Sequence, residues 1–179
     1  MSTDSETKVT NKVNFQEMSP AGRGGPWVPV VLAAIGVGVV LSGIFAGSTG
    51  LYGDIGELTL ADGLEESVRE LVRLVLFSCL LLAALRINCW RVRRHLGNLF
   101  LAALRCLAVV AIVESVRVAQ IPHGAVRILL VITAQYVVCC ICMLGLFSVS
   151  IREAILFVTS CTIGLAILWL GSQVGTWIA

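Results

Sequence analysis

Val-Pro-Val-Val-Leu-Ala-Ala-Ile-Gly-Val-Gly-Val-Val-Leu-Ser-Gly-Ile-Phe-Ala-Gly, residues 28–47, contains no charged side chain. At about 1.5 Å per residue, such a run matches the roughly 30 Å hydrocarbon core of a bilayer. Lipid offers no partner to backbone amides and carbonyls, so a segment of this kind satisfies them internally, as a helix. Trp27 precedes the run as an amphipathic interfacial anchor, and Pro29 falls where a missing N–H costs nothing.

Working outward, four more apolar stretches follow, and spans are expected at 28–47, 72–87, 96–116, 125–147 and 154–174. Of the 179 residues, 58% are apolar and only 13% charged. Soluble domains carry about twice that share of charge. A net charge of +2, with no basic stripe interleaved with aromatics, gives nucleic acid nothing to bind. The fold expected is therefore all-α: a polytopic helical membrane protein of about five transmembrane helices.

Residues 1–26 are polar, hold too little apolar surface to offset ordering entropy, and read as a disordered tail ahead of a membrane domain at 27–179. Ala46-Gly47-Ser48 offers a small-residue cleavage site, but the long acidic tail and the length of the apolar run favour an uncleaved first span. Residues 48–62 form an acidic, glycine-rich loop. Asp62 and Glu65 have the spacing of a capping box, and Leu64, Val68, Leu71, Val72 and Val75 recur at helical intervals opposite Glu65, Glu66, Arg69, Glu70 and Arg73. This predicts a short amphipathic lead-in running into the second span. Residues 86–95 are the most basic connector, 120–124 a Pro/Gly turn and 148–153 a tight turn.

Cations set the orientation. With the tail inside the cell, eight cations lie inside (Lys8, Lys12, Arg23, Arg86, Arg91, Arg93, Arg94 and Arg152). Four lie outside (Arg69, Arg73, Arg117 and Arg127), and Arg105 falls within a span. The bias places the N-terminus in the cytoplasm and the C-terminus on the outer side.

Arg105 is the most unusual residue. A guanidinium at that depth costs at least about 2.5–3.5 kcal/mol on insertion scales. Either it faces a polar path, with Gln135 on the fourth span and Glu114 and Arg117 at its mouth, or its stem snorkels and it bonds to neighbouring polar groups. Glu114 and Arg117, three apart, otherwise read as an interfacial ion pair worth under about 1 kcal/mol. Arg91, Arg93 and Arg94 are candidates for contact with lipid headgroups, or serve topology alone.

Cys139 and Cys142 share a helical face while Cys140 points away, so the cluster reads as packing rather than a metal site. Cys89, beside Trp90 and the basic run, is a candidate for acylation. Small residues at Ala34/Gly38, Gly43/Gly47 and Gly164/Gly171/Gly175 let helix backbones approach, within the chain or between copies. His95 and His123 fall on opposite sides of the membrane and cannot share a metal. There is no H-E-x-x-H, G-x-S-x-G, P-loop or dinucleotide glycine fingerprint, and no cofactor is implied.

In topology alone, five spans with an inner tail resemble a class of membrane-trafficking proteins. The function expected is a non-enzymatic scaffold or interaction partner. Its surroundings are the lipid bilayer, and its partners would be other membrane proteins or a second copy of itself. A small transporter or channel subunit built around Arg105 is the alternative, and a membrane-embedded transferase a weaker one.

Overall fold

The computed structural model describes residues 25–45, 60–92, 94–118 and 125–178, with side chains on the last helix described as far as Gly164. Five α-helices follow one another: α1 (Trp27–Phe45), α2 (Leu60–Val92), α3 (Leu99–Ser115), α4 (Ala125–Leu146) and α5 (Ile151–Ile178). A 3-10 turn, Val116–Val118, extends α3, and no strand occurs among the described residues. Among the described residues, three helical stretches are long and apolar enough to cross a membrane: Trp27–Phe45, Leu99–Val118 and Leu129–Leu146.

α3 is the hub, packing against α1, α2 and α4, while α5 closes against α4 and α2. Leu85, Cys106, Val109, Met143, Phe147 and Phe157 form the buried centre. Around it, large apolar side chains point outward on every helix, among them Val39, Leu76, Leu129, Ile141 and Leu156. A water-soluble bundle would carry charge at such positions, and apolar surface of this kind suits a lipid surround.

α2 departs most from expectation. It is one continuous helix of 33 residues, about 50 Å long, and it absorbs most of the basic connector. Helix begins at Leu60, so Asp62 lies within the first turn, where it favours the positive dipole end, rather than capping it with Glu65. The apolar stripe of the lead-in also faces outward. Leu64 is 60% and Val68 61% exposed, whereas Ser67 (7%) and Glu70 (5%) turn into the bundle. The Ser67 hydroxyl donates to the Gly63 carbonyl (2.7 Å) and Ser78 to that of Leu74 (2.7 Å), which removes the cost of burying them.

Short connections fix the neighbours. Gly97 takes φ +82°, a left-handed turn that a β-carbon would strain, and Asn98 caps α3 by accepting from the Phe100 and Leu101 amides (3.0 and 3.4 Å). At the start of α5 the Ser150 amide donates to Glu153 (2.8 Å) and the Glu153 amide to the Ser150 hydroxyl (3.3 Å). That is a capping box, at a place where the spacing alone had indicated only a turn.

A close helix contact lies at Gly36. A β-carbon there would sit 2.6 Å from the Ala111 carbonyl carbon, so α1 and α3 touch backbone to backbone. Gly36 belongs to the inward face with Ala33, Val40 and Gly43. The Ala34/Gly38 pair points the other way, and a β-carbon on Gly38 would meet nothing. Gly164 is likewise open. Gly47 lies outside the described residues, and Gly171 and Gly175 lie on α5 beyond its described side chains.

Candidate functional site

Two polar clusters tie the bundle together, one at each end. At the far end of α3, Glu114 is buried and its Oε2 lies 3.0 Å from Arg117 Nη1 and 3.8 Å from Arg73 Nη2. Arg73 also reaches Glu70 (3.1 Å), a buried carboxylate one turn earlier on α2, and rests over the Phe77 ring at 5.2 Å. Two carboxylates and two guanidiniums thus form a neutral chain that crosses from α2 to α3. The i,i+3 spacing had indicated only an interfacial Glu114–Arg117 pair; burial and the α2 partners make it a network of the interior. Each charge in such a network offsets another, so removing one member leaves the others out of balance.

The other end carries the α2–α3 loop and the α4–α5 turn. There Arg94 donates to Glu153 (3.2 Å) and to the Ser148 carbonyl (3.3 Å). Hydrogen bonding from the Ser150 amide, then its hydroxyl and the Arg94 guanidinium, holds the Glu153 carboxyl below the usual carboxylate range. Arg94, one of the three headgroup candidates, is therefore engaged within the fold. Arg91 is exposed, and Arg93 lies outside the described residues.

Arg105 has no exposure at all, and its guanidinium sits 6.0 Å from the centre of the Phe147 ring. Helical side chains lean toward the N-terminus of their helix, so its long stem runs toward the Arg94 end of the bundle. Phe147 closes α4 at that same end. Gln135 does not join it. Its amide donates to the Val113 carbonyl (3.3 Å), about 12 Å along α3 from Arg105 and beside the Glu114 network. The four residues that the sequence placed on one polar path thus lie in two places, with Arg105 apart from Gln135, Glu114 and Arg117. Tyr136 and Thr159 share a hydrogen bond (2.9 Å) that joins α4 to α5.

Cys106 is in the core, and Cys139, Cys140, Cys142 and Cys161 pack against it. None of the seven cysteines forms a disulfide, and no three His, Cys, Asp or Glu side chains among the described residues converge to hold a metal. Cys89, considered for acylation, is buried on α2, and burial pushes its thiol up. A protonated, enclosed sulfur is a poor nucleophile for an acyl donor.

Arg73 and Glu70 escaped sequence reasoning as members of a site because only the antiparallel register of α2 and α3 brings them to Glu114. No protein-family model, no curated protein and no solved structure matches this chain.

Proposed function

We propose that the chain is a multi-pass integral membrane protein whose five helices all cross the bilayer, and that it acts as a non-enzymatic scaffold, holding partners through its outward faces. The exposed arginines of α2 support the second crossing. Arg69 and Arg86 bracket about 25 Å of helix in which the remaining charges, Glu70 and Arg73, pair with each other, a length close to hydrocarbon thickness once both flanking side chains snorkel. The cation bias puts the N-terminal tail in the cytoplasm and the C-terminus outside.

One observation carries the scaffold reading: the polar groups inside the bundle are enclosed or engaged within it, at separate places. Arg105 is enclosed against Phe147, Gln135 is spent on a backbone carbonyl, and Glu114 is engaged by two arginines. A conduit would keep such groups turned toward a common path. The rival reading, a transporter or channel subunit, draws on the same network, since ionisable groups inside membrane bundles mark ion pathways.

The native Cys106 side chain, adjacent to Arg105, distinguishes the two. In a variant that retains Cys106 alone, a membrane-impermeant maleimide applied to reconstituted vesicles, from both sides, leaves the thiol unmodified. Labelling at a rate comparable to that of a loop cysteine would instead establish a water path at Arg105.

A further inference from the structure

The Arg94 end of the bundle has an uneven distribution of charge. Among the described residues it holds Arg86, Arg91, Arg94 and Arg152, and the single acid beside them, Glu153, is already engaged by Arg94. Arg86, Arg91 and Arg152 all remain exposed. Exposed apolar side chains lie at the same end. Ile87, Trp90 and Phe100 are each more than 60% exposed, and Trp90 reaches 85%. Arg86 and Trp90, like Ile87 and Arg91, are four residues apart and so share strips of the α2 surface. The Arg94–Glu153 bridge brings the start of α5, and with it Arg152, to the end of α2.

We infer that this rim binds the headgroups of acidic phospholipids, with Arg86, Arg91 and Arg152 on the phosphates and Trp90 and Phe100 at the level of the acyl-chain junction. The inference rests on the membrane reading above. Three features select this occupant. A free anion would leave Trp90, Phe100 and Ile87 in water, and an acidic peptide would have no use for hydrocarbon on one flank; a phospholipid supplies both chemistries in one molecule. The type of cation also suits a phosphate: every cation on the described rim is arginine, as throughout the chain beyond Lys12, and its planar fork meets two phosphate oxygens at once. Finally, the surplus positive charge has no counterpart among the described side chains, and an anionic headgroup would supply one.

The test uses the full-length protein purified in detergent, given equimolar phosphatidylglycerol and phosphatidylcholine, with retained lipid counted by native mass spectrometry. The expected result is retention of phosphatidylglycerol over phosphatidylcholine by about tenfold or more. Arg91→Gln and Arg152→Gln each cut that preference about fivefold, and Arg91→Lys recovers part of it. Arg69→Gln, at the opposite end, leaves it intact. Circular dichroism confirms that each variant keeps its helices, and excess inorganic phosphate does not displace the lipid. Equal retention of both lipids, an unchanged preference in the glutamine variants, or displacement by inorganic phosphate would overturn the inference while leaving the membrane reading in place. Retention of neither lipid would remove that reading too.

Discussion

Gly36→Ala loosens the junction of α1 with α3, at a cost of about 1–3 kcal/mol. The new methyl group would arrive 2.6 Å from the Ala111 carbonyl carbon and 2.8 Å from its β-carbon and oxygen. Ordinary contact needs about 3.5–4 Å, so the backbones must part by about 1 Å, because no flexible side chain is there to yield. Membrane helices are held by close packing rather than by expulsion of water, so a separation of this size removes much of what joins α1 to the hub. Gly38→Ala is the matched control, since its methyl group meets open space and it gains helix propensity. The two variants compared by thermal unfolding in one detergent give the measurement. Gly36→Ala melts well below the parent, and Gly38→Ala at or above it. Equal midpoints would mean that the helices do not meet as described.

Glu114→Ala is the second large effect, a loss of about 3 kcal/mol. Removal of that carboxylate leaves Arg117 without its 3.0 Å partner and Arg73 with Glu70 alone, in an interior where uncompensated charge is expensive. The value lies at the low end for a buried pair because both arginines keep about a quarter of their side-chain surface exposed. A double-mutant cycle of Glu114→Gln with Arg117→Met isolates the pair, and the coupling expected exceeds about 1 kcal/mol. Additive single effects would reduce the network to a surface ornament.

Much of the architecture could be read before any coordinates. The expected spans at 28–47 and 125–147 fall within two residues of α1 and of α4, because a long apolar run ends where polarity returns. The face each helix presents could not be read in this way. α1 is apolar all round, and both its outward side and its bundle side accept small residues, so Ala34/Gly38 and Gly36/Gly43 look equivalent until the partner helix is in place. Packing within the bundle uses the second set. The lead-in to α2 posed the opposite difficulty. Its periodicity was plain, but the structure turns the apolar stripe outward and Ser67 and Glu70 inward, the reverse of the rule for a soluble helix. Charges paired along one helix, such as Glu114 with Arg117, follow from spacing alone. Their cross-helix partners depend on register, which one sequence does not reveal. The capping box Ser150-Ile-Arg-Glu153 was within reach of inspection, since its signature is local; Asp62-Gly-Leu-Glu65 carries a matching pattern inside an already started helix.

The account stands on hydrocarbon as the medium around the bundle. Spin labels at Val39, Val75 and Ile141, three outward positions on different helices, report it directly in reconstituted vesicles. High collision rates with molecular oxygen and negligible rates with a water-soluble nickel chelate are the result predicted at all three. Ready access of the nickel chelate to these sites would contradict it.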